Sequence, residues 1–131
     1  MQTDNRPLSP HVQVFKQGWT GTPSIMHRIT GVILTVGILL LIWWLTALAA
    51  GPEAFADAQG FFGSWAGQIV LLALSWALFY HTCNGVRHLL WDAGIGLTVE
   101  RVVLTSKLVV ALSVALTVLV WILAYTLGGA Q

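Results

Sequence analysis

Three stretches of the chain carry no charged residue over about the 20 positions that a helix needs to cross ~30 Å of hydrocarbon. They run from Ile29 to about Ala50, from about Gly63 to Val86 with a continuation to Trp91, and from Leu108 to about Leu127. The pattern predicts helices over about 22–50, 60–91 and 101–127, in a membrane domain of residues 22–131 that follows an arm of residues 1–21. The links between them are short: GPEAFADAQG, read as an acidic loop, and DAGIGLTVER. Short links make successive helices antiparallel neighbours, so the expected fold is an all-α integral membrane protein with three transmembrane helices in an antiparallel bundle.

Composition agrees: 56% of the 131 residues are hydrophobic and 8% charged, against roughly 25% charged in a soluble domain. The mean hydropathy is +0.79. Six basic residues spread along such a chain make no phosphate-tracking patch, so no nucleic-acid partner is expected and lipid is the medium. Their positions are informative. Arg6, Lys16, Arg28, Arg87, Arg101 and Lys107 fall in the arm, at the entry to the first helix or around the second link, whereas Glu53 and Asp57 lie in the first. The positive-inside rule therefore expects a cytoplasmic N-terminus and second link, with the C-terminus on the opposite, periplasmic side. The arm starts with Met and lacks the apolar core of a secretory signal, so no processing is expected. Cys83, the only cysteine, excludes an internal disulfide and a four-thiolate cluster, which leaves any iron–sulfur chemistry to a partner. It is read as a buried packing residue.

The segment HTCNGVRHLLWD, His81 to Asp92, breaks the apolar pattern. At about 100° per residue, His81, Asn84, Gly85 and His88 form one stripe. A rise of 1.5 Å per residue puts His81 and His88 ~10 Å apart along the axis, too far to share a metal ion. An imidazole inside hydrocarbon is costly without a partner. Haem iron is one candidate partner, since neutral imidazole ligates it without importing charge. Gly85 would then leave space for a flat macrocycle, and His88, better aimed than Arg87, would reach its propionates. The alternative is a hydrogen bond from His81 to a neighbouring helix, with His88 and Arg87 as interfacial anchors. If the iron takes two histidines, the second must come from another subunit or another copy. His27 and His88 are interfacial, His11 is in the arm, and the third helix has none.

The segment TPSIMHRITG opens the first helix, with Thr22 as the expected N-cap and Pro23 as the first helical residue. Ser24 and Arg28 are spaced i, i+4, with Gly31 about 20° off their line. A hydroxyl, a guanidinium and a gap at the membrane boundary suit an amphiphile with carbonyl oxygens, such as a quinone. A snorkelling arginine and a capping serine explain the same residues. Trp19 is either a wall of that pocket or, like Trp43, Trp44, Trp65, Trp76, Trp91, Trp121 and Tyr125, part of the aromatic belt and arm packing. The third helix is read as structural, with Ala111 and Ala115 suited to close packing.

Taken together, RPLSPHVQVF, SIMHRITG and HTCNGVRHLLWDAG resemble the bacterial type of the cytochrome b556 large membrane-anchor subunits of succinate dehydrogenase, respiratory complex II. The likeness covers nearly the whole chain, through an Arg-Pro start, Ser-x-x-His-Arg-x-Ser/Thr and His-x₃-Gly-x-Arg-His before Trp-Asp. It implies a haem b held by His81 and by a histidine of a second, small anchor subunit that completes the bundle. It also implies ubiquinone bound by Ser24 and Arg28, and His27 and His88 near the haem propionates. The implied partners are a flavoprotein that oxidises succinate and an iron–sulfur subunit that passes electrons on; the chain alone is not an enzyme. The implied location is the bacterial cytoplasmic (inner) membrane. Two alternatives remain at this point: a haem-less structural anchor of the same complex, and a small transporter subunit, which would need broken helices or several ionisable groups at mid-membrane.

Overall fold

The computed structural model describes residues 18–128; most of the N-terminal arm, with RPLSPHVQVF and His11, lies outside them. Four helices follow one another: α1 (Thr22–Ala50), α2 (Pro52–Gly63), α3 (Trp65–Asp92) and α4 (Val99–Gly128). Helices α1, α3 and α4 have 29, 28 and 30 residues and are long and apolar enough to cross a membrane. At 1.5 Å per residue each is over 40 Å long, about enough to pass the hydrocarbon and reach the headgroups on both sides. All three run unbroken, without the discontinuities of a transporter site.

Helix α3 is the shared element, packed against α1 on one side and α4 on the other. Both pairings are antiparallel. Along α3 from Gln68 to Ser75 to Arg87, the α4 partners run backwards from Tyr125 to Trp121 to Thr105. On the α1 side Leu74 meets Gly37 while His81 meets Thr30. A Cβ on Gly37 would lie 2.7 Å from Leu74 Cδ2, so the missing side chain sets how closely α1 and α3 approach. On α4 the buried positions are Ser106, Val109, Ser113 and Thr117, a small-residue seam with coiled-coil spacing. Ala111 and Ala115 are exposed on other faces and do not pack against α3. Hydroxyls suit this seam because Ser106, Ser113 and Thr117 each return their proton to a carbonyl of their own helix.

The first link is a helix, where an acidic loop was expected. Gly51 ends α1 with φ +124°, a conformation open to glycine and strained for other residues. Pro52 then starts α2 with its ring already at helical φ, and Glu53 adds charge complementary to the helix N-terminus. Aromatic side chains clasp α2 to the end of α1. Phe55 meets Trp44 at 5.5 Å between ring centroids, and Phe61 and Phe62 meet Trp43 at 5.5 and 5.6 Å. Trp44 Nε1 donates to Gln59 Oε1 at 3.2 Å. The N-terminus of α1 also differs from expectation. Gly21 is the N-cap, and the Thr22 hydroxyl donates back to the Gly18 carbonyl at 3.1 Å.

Ser64 separates α2 from α3, its Oγ accepting from Gly67 N at 3.1 Å. Gly67 is buried against the preceding helix end, where a Cβ would strike the Phe61 carbonyl oxygen and lie 2.7 Å from Phe62 Cα. These are backbone atoms that cannot rotate away. Gly67→Ala is therefore expected to destabilise the α2–α3 corner by about 1–3 kcal/mol, the usual cost of overpacking. A shorter half-life of the detergent-extracted protein at elevated temperature would report it, and an unchanged half-life would contradict this reading of the corner.

Candidate functional site

The polar residues of α1 and α3 meet at the end of the bundle formed by the start of α1 and the last turns of α3. The His27 and His81 rings stack with centroids 3.8 Å apart and planes 11° from parallel. His88 approaches His27 at 5.4 Å and meets Trp91 edge-on at 5.1 Å. Three imidazoles from two helices thus form one cluster.

The hydrogen bonds around His81 fix its tautomer. Its Nδ1 lies 3.1 Å from the His27 carbonyl oxygen and 3.2 Å from Thr30 Oγ1. The Thr30 hydroxyl donates its own proton to that same carbonyl at 2.9 Å. A carbonyl oxygen only accepts, so the His81 proton belongs on Nδ1, shared between the two oxygens. The Nε2 lone pair is thereby left for another acceptor of electrons. In metal-binding histidines one ring N–H is held by an oxygen while the other nitrogen ligates, and the donor set here fits a haem iron in that way.

Glycines permit the close approach. A Cβ on Gly31 would lie 3.2 Å from His81 Cε1, and one on Gly85 would lie 4.0 Å from His27 Cε1. Gly31 thus makes room for His81, where the sequence pattern had set it beside Ser24 and Arg28 as a gap for an amphiphile. The Gly85 face expected to receive a macrocycle is turned toward His27. Tyr80, buried, donates from its hydroxyl to the Pro23 carbonyl at 3.4 Å and ties the start of α1 to α3. His27 Nδ1 is buried without a hydrogen-bond partner among the described residues, an arrangement that normally costs about 1–3 kcal/mol and calls for a partner beyond those residues.

Ser24 and Arg28 lie on α1 beside the cluster, Ser24 half-buried and Arg28 exposed. Neither side chain has a hydrogen-bond partner among the described residues. Trp19 is exposed, with Lys107 Nζ 5.9 Å above its ring, which links it to α4.

Asn84 and Arg87 do not join the imidazoles. Both are buried and engaged with each other and α4. Arg87 Nη1 donates to Asn84 Oδ1 at 3.0 Å, Nε to Thr105 Oγ1 at 3.0 Å, and Nη2 to Ser106 Oγ at 2.8 Å and the Val102 carbonyl at 3.3 Å. Its Cζ stands 3.9 Å over the Trp91 ring. Among the described residues no carboxylate pairs with it. The Asn84 that spacing had placed on the His81 stripe belongs to this network, and Arg87 is no interfacial anchor. Cys83 is half-buried beside a shallow groove between α3 and α4, more accessible than a core residue.

Residues 2–120 match the family described as Succinate dehydrogenase/Fumarate reductase transmembrane subunit. A succinate dehydrogenase cytochrome b556 subunit of Paracoccus denitrificans is 47% identical over 121 residues, covering 92% of this chain and 93% of the relative. The protein of the same name from Rickettsia felis is 40% identical over 119 residues, or 91% and 93% of the two chains. The mitochondrial succinate dehydrogenase cytochrome b560 subunit of Bos taurus is 38% identical over 117 residues, 86% of this chain and 68% of its own.

Proposed function

The chain belongs to the succinate dehydrogenase/fumarate reductase transmembrane subunit family, and from that premise we propose that it anchors a succinate:quinone oxidoreductase in the bacterial cytoplasmic membrane. In this reading it binds a haem b jointly with a second small anchor subunit and forms part of the ubiquinone-reduction site. Electrons arrive from an iron–sulfur subunit, and succinate oxidation takes place on a flavoprotein, so the chain is not catalytic by itself. The N-terminus is cytoplasmic and the C-terminus periplasmic, as the basic residues favour.

The observation that carries the reading is His81 Nδ1 set 3.1 Å from the His27 carbonyl oxygen and 3.2 Å from Thr30 Oγ1, an acceptor environment that draws the proton to Nδ1 and leaves Nε2 as a neutral ligand. Bound there, haem supplies a one-electron redox centre inside the bilayer. The stacked His27 ring, 3.8 Å from that of His81, leaves no space for a macrocycle between the two, so the second histidine that would hold the haem is assigned to the companion subunit. In this reading His27 and His88 would hydrogen-bond the propionates.

Quinone reduction adds two electrons and two protons to give the quinol, and negative charge builds on a carbonyl oxygen before the protons arrive. The Arg28 guanidinium and Ser24 hydroxyl, one helical turn apart at the membrane boundary, donate to that oxygen and stabilise the charge. Trp19 is a candidate wall of the same pocket.

A dithionite-reduced minus oxidised spectrum of the purified complex tests the haem, and quinone-reductase turnover tests the pocket. A b-type band is expected. An active complex without one would leave a haem-less anchor. Arg28→Leu should lower quinone reduction roughly 10–100-fold, the loss of a hydrogen bond to a charged group, while the b-type band stays. Normal turnover in that variant would overturn the quinone assignment.

A further inference from the structure

We infer that Thr30 is a positioning residue for His81: its hydroxyl, with the His27 carbonyl and the bare backbone of Gly31, sets the tautomer, tilt and basicity of that imidazole. The inference rests on the haem reading above and concerns residues of this chain alone.

Thr30 is fully buried at 0% exposure, and its hydroxyl is used in both senses. It donates to the His27 carbonyl at 2.9 Å and accepts from His81 Nδ1 at 3.2 Å, while Nδ1 lies 3.1 Å from the same carbonyl. One carbonyl, one hydroxyl and one N–H close this triangle in a single way. The opposite tautomer would set a nitrogen lone pair against the His27 carbonyl oxygen, which only accepts, and would draw the Thr30 proton away from that carbonyl. A separate, steric constraint acts on the next ring atom. Gly31 admits His81 Cε1 at a distance where a Cβ would stand only 3.2 Å away. Polar contacts therefore hold one edge of the ring, and the missing side chain of Gly31 leaves the space in which its Cε1 edge sits.

Hydrogen bonding at Nδ1 raises the electron density at Nε2 and makes the imidazole a stronger donor. A stronger donor favours the oxidised iron, which carries the extra positive charge. Removing one acceptor thus weakens the ligand, shifts the haem toward its reduced form and loosens its retention. Thr30→Val keeps the volume and the buried position but deletes the hydroxyl. Thr30→Ser deletes a methyl and keeps the hydroxyl. Gly31→Ala leaves the hydroxyl in place and presses on the ring by a few tenths of an ångström.

The test is a redox titration of the b-type band, with electron paramagnetic resonance of the oxidised iron, on the assembled, detergent-purified complex of each variant. Thr30→Val should raise the equilibrium constant for haem reduction by on the order of tenfold, an upward shift of about 59 mV for one electron. Thr30→Ser should stay at the wild-type potential, and Gly31→Ala should change the g-values. A wild-type complex without a b-type signal would overturn the haem reading and this role with it. A wild-type signal that Thr30→Val leaves at the same potential and g-values, or that Thr30→Ser shifts equally, would overturn the role of Thr30 alone. Should Thr30→Val not assemble, Gly31→Ala still decides: unchanged g-values would remove the proposed control of ring tilt.

Discussion

His81→Ala should abolish the b-type band of the assembled complex. The substitution removes the Nε2 donor that the His27 carbonyl and Thr30 orient, and two oxygens at Nδ1 lose their shared proton. Altering a residue that only supports a metal-bound histidine already costs about 10–100-fold in metal affinity, so loss of the ligand itself should cost more. The neighbouring imidazoles cannot take over unchanged. His27 stands parallel to the His81 ring at 3.8 Å and supplies the carbonyl of the cradle, and His88 lies beyond it, 5.4 Å from His27. A ligand recruited from either would arrive at a different depth and angle and would shift the band. A band of wild-type position and intensity in His81→Ala would overturn the assignment.

The second large effect is expected at a residue outside the imidazole cluster. Arg87→Leu should shorten the lifetime of the extracted protein sharply, because Arg87 is 4% exposed and supplies donors to Asn84, Thr105, Ser106 and the Val102 carbonyl. Each buried acceptor left unpaired costs about 1–3 kcal/mol, while the Thr105 and Ser106 hydroxyls stay partly satisfied because they already donate to the Val102 carbonyl. A net loss of about 2–4 kcal/mol follows. Arg87→Lys should recover only part of it, since an ammonium lacks the planar fork that reaches four partners. Replacing the whole network is a sharper test. Asn84→Leu with Arg87→Met and Ser106→Ala removes donors and acceptors together, and such replacements are often neutral or better. The triple variant should therefore outlast Arg87→Leu. If it is no more stable, the cost of Arg87→Leu lies in lost packing over Trp91 and not in unpaired polar atoms. Arg87 and Ser106 should also couple non-additively in a double-mutant cycle, as partners in contact do.

The sequence by itself determined the helices that can cross a membrane, because hydrocarbon leaves a chain no way to satisfy its backbone except within each helix. An uncharged run of about 20 residues then has one solution, and the spans containing Thr22–Ala50, Trp65–Asp92 and Val99–Gly128 were visible as such runs. The residue types at His81, His27, His88, Ser24 and Arg28 were legible for a related reason. Polar groups at or inside the membrane boundary are expensive, so they stand out against an apolar background.

What only the tertiary structure decided is which of these polar groups face each other. Helical periodicity gives the angle of a side chain about its own axis but says nothing about the neighbour that waits there. It grouped Asn84 with His81, whereas α4 brings Ser106 and Thr105 to Arg87 and draws Asn84 into that network. It set Gly31 beside Ser24 and Arg28, whereas the approach of α3 gives that space to His81. Thr30 closes the Ser-x-x-His-Arg-x-Ser/Thr pattern, but its role was not legible there, since a threonine in a membrane helix usually returns its hydroxyl to its own backbone. Its second contact, to a ring 51 residues further along the chain, exists because the small residues of α1 let the two helices meet. The first link is the remaining case. GPEAFADAQG lacks the length and apolarity of a span, and it becomes helical because Trp43 and Trp44 at the end of α1 offer Phe55, Phe61 and Phe62 a surface to pack on. For a segment this short, packing on a neighbour decides the outcome over intrinsic preference.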